Sequence, residues 1–206
     1  MTTTEVRERP ILFSAPMVQA ILRGDKTQTR RVIKPQPVEI DHDVFQLGDR
    51  IFGSSAEMKD HLFHDVYGTK GTPYGSLYEG GGERIWVRET FAPSVEPENH
   101  EHAKLGWTYR ADWSRDDEEI CDFDWKPSIF MPRAASRITL EITDVDAQRL
   151  HEITEDDATK EGVTLTNRDE QTYYGQFAVL WKAINGLESW AKNPWVWVIS
   201  FKRVTT

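Results

Sequence analysis

In the stretch Gly24-Asp25-Lys26-Thr27-Gln28-Thr29-Arg30-Arg31, three cations and two threonine hydroxyls lie within eight residues. The stretch follows the apolar segment Ile11–Leu22. A lysine three residues from a threonine, followed by paired arginines, suits the binding of an anion or the activation of a hydroxyl. The same composition also suits a solvated turn, so the surrounding elements have to decide between these interpretations.

The segment before this stretch predicts a short helix. Ser14 is a suitable N-cap, and Met17, Ala20 and Ile21 have the i, i+3, i+4 spacing of one apolar face. Gly24 stands where a C′ glycine ends a helix. The basic stretch therefore leaves a helix C-terminus as loop or strand, and that end of a helix favours cations.

Further elements follow from periodicity and capping signals. Alternation of apolar and polar residues predicts strands. A capping box at Thr154 and Asp157, with a stop at Gly162, predicts a second helix. A third helix is predicted from Phe177, Leu180, Trp181 and Ile184. The predicted strands are Pro10–Phe13, a pair within Val44–Phe52, Glu83–Phe91, Arg137–Val145 and Trp195–Phe201.

Two segments interrupt this pattern. Residues 35–82 are rich in proline and glycine, and residues 93–124 are acidic and without periodicity, so we interpret both as insertions. The remaining elements alternate short strands and helices without a βαβ repeat. The sequence therefore predicts one α+β domain over residues 1–206, a small mixed β-barrel with flanking helices.

Composition limits the classes of function. The net charge of −9 excludes a broad basic face, so we expect no broad non-specific binding of duplex DNA. No apolar run is long enough for a membrane helix, and we expect no membrane partner. No signal peptide is visible, and the single cysteine, Cys121, fits a reducing cytoplasm. The oligomeric state is not predicted.

A metal site is not expected. His61 and His64 are three residues apart, but neither a cysteine nor a clear carboxylate completes a ligand set. We interpret them as surface histidines, and no cofactor is predicted.

These motifs resemble the ASCH domain of the PUA-like superfamily. That resemblance implies a small mixed β-barrel with helices on its side. A further phrase, Trp125–Arg133, is similar to the phage and prophage branch of the family. The similar motifs are Gly24-x-Lys26-Thr27-x-Thr29-x-Arg31, Gly82–Glu89, Thr154–Glu161 and Trp195–Phe201.

One branch of that family, the small bacterial N4-acetylcytidine amidohydrolases, is similar at three reactive positions. The resemblance assigns a catalytic lysine to Lys26, a threonine to Thr29 and a glutamate to Glu161. The glutamate is carried over because Ile153-Thr154-Glu155-x-x-Ala158-x-x-Glu161 resembles the helix motif of that branch. The resemblance to this branch implies hydrolysis of an acylated or otherwise modified nucleoside.

The residues allow a chemistry of this kind. Thr29 would attack the amide, a neutral Lys26 would take its proton, and Glu161 would protonate the leaving amine. Arg30 and Arg31 are candidates for contacts to an oxyanion, phosphate or carbonyl of the ligand.

Aromatic and charged residues elsewhere are candidates for substrate binding. Trp86, or Tyr74 and Tyr78 in the first insertion, could stack a base. Arg88 and Glu89 are predicted near a cleft or in an ion pair, with a strand edge of no special role as the alternative.

Other functions stay open on the sequence. The cations of residues 24–31 also suit a PUA-like module that binds RNA or a nucleotide without catalysis. A ribonuclease and a phage-encoded interaction protein are further alternatives. A nucleoside or RNA is the expected ligand both of the hydrolase and of the binding module without catalysis.

Overall fold

A computed structural model describes residues 8–64, 84–93, 106–113, 123–165 and 172–204, without the side chains of residues 60–64. Residues 65–82, 94–105 and 114–122 of the two predicted insertions lie outside the described residues. They include Tyr74, Tyr78 and Cys121. The side chains of His61 and His64 lie outside the described residues as well.

The described residues form a mixed α+β structure. The α-helices are α1 Ala15–Arg23, α2 Ser55–His64, α3 Glu155–Lys160 and α4 Tyr173–Asn185. The strands are β1 Glu8–Leu12, β2 Gln28–Val32, β3 Val38–Asp41, β4 Val44–Leu47, β5 Arg50–Phe52, β6 Arg84–Arg88, β7 Phe91–Pro93, β8 Trp107–Tyr109, β9 Thr139–Arg149 and β10 Trp195–Arg203.

The chain divides into two compact units. Unit 1 is drawn from Met1–Lys26, Glu83–Glu141 and Lys202–Thr206, and unit 2 from Thr27–Gly82 and Ile142–Phe201. Both β9 and β10 run from one unit into the other. The described strands form open sheets rather than a closed barrel, so the predicted α+β class is confirmed and the barrel is not.

Unit 1 contains the parallel pair β1–β6, and β6 also pairs antiparallel with the first part of β9. Its helix α1 has the predicted bounds: Ser14 is the N-cap, and Gly24 ends the helix at φ 86° while donating to Ala20 and Ile21. The Ser14 hydroxyl makes no capping bond. A buried cluster of Phe91, Tyr109, Met131 and Ala135 forms part of the core.

Unit 2 contains the sheet order β9–β10–β2, in which β2 and β10 are antiparallel. A second sheet, β3–β4–β5, includes the strand pair predicted within Val44–Phe52. Residues 38–64, predicted as part of an insertion, thus fold as strands and helix α2, with Met58 fully buried. The core joins Leu150, Phe177, Trp181, Val196 and Val198.

The helix predicted after residue 172 is α4, and its apolar face differs from the prediction in one place. Phe177 and Trp181 are buried, but Ile184 is 52% exposed. The helix is present where the spacing predicts it, and Ile184 lies in its exposed last turn, next to Asn185.

Candidate functional site

Three consecutive polar residues of β2 are buried: Gln28, Thr29 and Arg30. Because successive side chains of a strand point to opposite faces, Gln28 and Arg30 share one face and Thr29 lies on the other. Buried polar residues carry more functional information than exposed apolar ones. Both faces of β2 are therefore specialised for something other than a purely apolar core.

Arg30 is the centre of a buried ionic cluster in unit 2. Its side chain is 0% exposed, and its Nη1 lies 3.3 Å from Glu161 Oε1 and its Nη2 3.2 Å from Asp157 Oδ2. Nη1 also donates to Gln28 Oε1 at 2.7 Å. Glu161 is itself buried, at 3% exposure. The partners of this guanidinium thus include two carboxylates and an amide of the protein.

The two carboxylates come from one turn of helix α3. Asp157 closes the predicted capping box, since its backbone N–H donates to Thr154 Oγ1 and its Oδ2 accepts from the Thr154 N–H. Burial by itself raises the pKa of Asp157, but the hydrogen bonds with Thr154 and the charges of Arg30 and Lys160 outweigh it. The pKa of Asp157 therefore lies below its ordinary value.

The start of β2 is fixed to the end of α3. The Thr27 N–H donates to the Lys160 carbonyl at 2.9 Å, and the Thr27 carbonyl accepts from the Phe201 N–H at 2.9 Å. Lys160 precedes Glu161 in the chain, so the backbone itself brings the basic stretch beside the helix end that carries Glu161. Thr27 is exposed, in contrast to Thr29.

Lys26 is the last residue of the first segment of unit 1 and is only 2% exposed. The backbone N–H groups of Asp25 and Lys26 both donate to the Ala20 carbonyl of α1. The Lys26 ammonium nitrogen lies 5.5 Å from the centre of the Phe13 ring. Lysine is rarely buried to this degree unless it is paired or used.

Trp86 and Arg88 lie on the same face of β6 in unit 1. The Arg88 guanidinium stacks over the Trp86 ring at 4.8 Å from its centre, and Arg133 lies at 5.7 Å. Trp86 is buried, which leaves little of its ring for a base to stack on. Arg88 Nε is buried without a hydrogen-bond partner among the described residues.

Glu89 takes part in a separate buried network of unit 1. Both of its carboxylate oxygens accept bonds of 2.9 Å from Arg137, and Arg137 Nη1 donates to Asp112 at 2.6 Å. The Arg137 guanidinium stacks over the Tyr109 ring at 4.0 Å. The pairing with Arg137 is one of the two arrangements predicted for Glu89 from the sequence.

Burial sets the direction of the pKa shift for two members of this network, Glu89 and Tyr109. Burial raises the pKa of Glu89, and the hydrogen bonds and charge of Arg137 offset this only in part. Burial also raises the pKa of Tyr109 to about 12. The Tyr109 hydroxyl donates to the Ala135 carbonyl at 2.8 Å and is a structural group in this position.

Arg31 is half-buried on β2, opposite Trp197 of β10. The next residue, Val32, lines a cleft of about 860 Å³ within unit 2. The lining contains three cations, Lys34, Arg149 and Lys192, and two carboxylates, Glu39 and Glu188. Arg149 lies 3.6 Å from Glu39 and 4.9 Å from the centre of the Trp195 ring.

Sequence reasoning missed the ionic role of Asp157 and the part played by Gln28. One signal was present for Asp157. Two carboxylates at i and i+4 on one helix repel each other, which predicts a cation between them. No comparable signal marks Gln28, because its partner Arg30 follows two residues later on an ordinary strand.

Two other findings concern the described residues only. Among them, no three histidine, cysteine, aspartate or glutamate side chains lie close enough together to hold a metal ion. None of their helices combines the length and apolar character needed to cross a membrane.

Comparison with known proteins gives no match of this chain to a family model, to a curated protein or to a solved structure.

Proposed function

We propose that this chain hydrolyses the amide bond of an acylated nucleoside such as N4-acetylcytidine, as its resemblance to the ASCH-domain amidohydrolases implies. Burial is the observation that carries the proposal. Lys26, Thr29 and Glu161, the residues the resemblance assigns to catalysis, are 2%, 2% and 3% exposed. Lysine and glutamate are almost never buried to this extent without a partner or a function.

The chemistry balances with these residues alone. In the reaction that the resemblance implies, Thr29 Oγ1 attacks the acyl carbon and the bond to nitrogen breaks, with Lys26 taking the hydroxyl proton and Glu161 protonating the leaving nitrogen. Water then releases the acid from Thr29. Arg31 is the proposed contact to the oxyanion or to a phosphate.

The proposal includes the PUA-like fold that the resemblance implies and the cytoplasmic location predicted from the single cysteine. Thr29 lies on β2, which pairs with β10, and Glu161 follows α3. Residues 38–64 add a sheet and a helix within the first predicted insertion.

Incubation of the purified chain with N4-acetylcytidine tests the proposal by measuring cytidine release by chromatography. We expect turnover by the natural chain and none by Lys26→Ala, because the proposed base is removed. Lys202→Ala is the matched control: Lys202 is an exposed lysine of β10 outside the proposed site, and its loss should leave the rate unchanged. Absence of turnover across a panel of N4-acylated cytosines would overturn the proposal.

A second candidate function is binding of RNA or a nucleotide without catalysis. The cleft favours it, because its three cations, Lys34, Arg149 and Lys192, outnumber its two carboxylates, Glu39 and Glu188, in a chain whose net charge is −9. Its volume is in the range of small-molecule sites. Tight binding of the nucleoside panel without product would favour this candidate over hydrolysis.

A further inference from the structure

We propose that Arg30 is a positioning residue, whose guanidinium fixes the Glu161 carboxylate and does not itself contact the ligand. The sequence alone predicts Arg30 as an anion contact beside Arg31. The inference rests on the proposed function only in that it gives Glu161 a part in the reaction.

The first argument is burial. The Arg30 side chain is 0% exposed, and its guanidinium lies against protein groups, with Glu161 and Gln28 at Nη1 and Asp157 at Nη2. Removing a charge from water costs several kcal/mol, so a buried arginine persists where protein carboxylates compensate it. Asp157 at 3.2 Å and Glu161 at 3.3 Å provide that compensation.

The second argument is geometry. Arg30 Nη1 donates hydrogen bonds to both Gln28 Oε1, at 2.7 Å, and Glu161 Oε1, at 3.3 Å. Gln28 Nε2 in turn contacts Ser200 Oγ of β10 at 3.4 Å. The guanidinium also lies 6.0 Å from the centre of the Phe177 ring in α4. Three elements of unit 2 thus set the position of Nη1, and with it the position of the Glu161 carboxylate.

The third argument concerns charge. Asp157 and Glu161 lie one turn apart at the end of α3, where two carboxylates repel each other. An arginine cannot lose its proton in a protein, so Arg30 remains a cation beside both carboxylates. Without it, the repulsion between Asp157 and Glu161 would be uncompensated, and Glu161 would lose a contact that fixes its position for protonating the leaving amine.

The experiment compares Arg30→Met, Arg30→Lys and Asp157→Asn with the natural chain. Arg30→Met removes the cation at similar volume, and Arg30→Lys keeps the charge but loses the planar fork. Asp157→Asn is the matched control, because it removes the other carboxylate of Arg30 and leaves Glu161 its partner. The measurements are kcat and KM for N4-acetylcytidine, the unfolding temperature, and crystal structures of the natural chain and Arg30→Met.

We expect Arg30→Met to lower kcat about 10- to 100-fold with little change in KM, the size known for residues that orient a reacting group. Arg30→Lys should recover part of the loss. Asp157→Asn should lower the unfolding temperature but keep kcat within about threefold. In the Arg30→Met crystal the Glu161 carboxylate should have moved.

Other outcomes separate the two proposals. Suppose that the natural chain has turnover. If Arg30→Met then keeps its kcat, or if its KM rises while kcat is unchanged, the positioning role is refuted and the proposed function stands. The role is also refuted if Asp157→Asn and Arg30→Met lose kcat in proportion to their stability. If the natural chain has no turnover, the proposed function fails, and an unmoved Glu161 in the variant crystal refutes the positioning as well. Should Arg30→Met not fold, Arg30→Lys provides the same comparison.

Discussion

Two buried carboxylates, Glu89 in unit 1 and Glu161 in unit 2, have arginine partners of different kinds. Glu89 accepts two bonds of 2.9 Å from Arg137, which satisfies both oxygens in the fork geometry that guanidinium favours. Glu161 contacts Arg30 at a longer 3.3 Å, and Arg30 is shared with Asp157. The first arrangement pairs one carboxylate with a complete fork, whereas in the second one cation is shared by two carboxylates.

Glu89→Gln is expected to destabilise the chain without affecting ligand binding. The amide presents an NH₂ group to Arg137 and removes the neutralising charge, so the guanidinium keeps only Asp112. Breaking a buried pair costs about 3 kcal/mol, which lowers the unfolding temperature of a chain this size by about 6–12 °C. Urea unfolding measures the change.

Glu8→Gln is the control for this substitution. It removes an exposed partner of Arg133, and exposed pairs contribute about 1 kcal/mol or less. If Glu89→Gln were as mild as Glu8→Gln and weakened ligand binding instead, Glu89 would be the ligand contact that the sequence suggests.

At the scale of elements, local signals locate the ends of α1 and α3 correctly. Gly24 and the capping box of Thr154 and Asp157 act within a few residues, so a single sequence contains all the information that they need. The ion pair of Arg30 with Glu161 joins residues 131 positions apart, and no local pattern encodes it. Strand β3 and helix α2 were missed because proline and glycine nearby indicated a loop.

Gly24→Ala is expected to destabilise the end of α1 by about 1 kcal/mol. Gly24 has φ +86°, and no atom lies within 4 Å of the position that an added Cβ would take, so the cost is conformational and not steric. Thermal unfolding measures it. Gly53→Ala is the matched control, because its added Cβ meets only Glu57 Oε2, at an ordinary 3.5 Å, and its unfolding temperature should stay close to that of the natural chain.

On the scale of the whole molecule, charge separates the candidate functions better than fold does. The net charge of −9 repels nucleic acid over distance, so any affinity for RNA has to come from a local group of cations. Composition predicts this much without a structure. That three cations line one cleft of unit 2 could not be predicted, since they come from the segment after β2, from β9 and from the segment before β10.

If RNA binds in the cleft, its affinity should fall with salt as expected for about three phosphates, a slope near −2 in log K against log salt concentration. A short single-stranded RNA titrated at several salt concentrations gives the slope by fluorescence anisotropy. Lys34→Ala with Lys192→Ala should reduce the slope to about −0.7. Lys202→Ala, which removes an exposed lysine of unit 1, should leave it unchanged, and an equal effect of this control would refute binding in the cleft.

The shared arginine of the α3 cluster has a consequence for how this chain can change during evolution. One cation and two anions occupy a volume that aliphatic side chains would fill with no loss of stability, and often with a gain. Selection for heat resistance alone would therefore remove Arg30, Asp157 and Glu161 together, because losing any one leaves the others uncompensated. If the proposed function holds, keeping all three retains the position of Glu161 at a cost in stability.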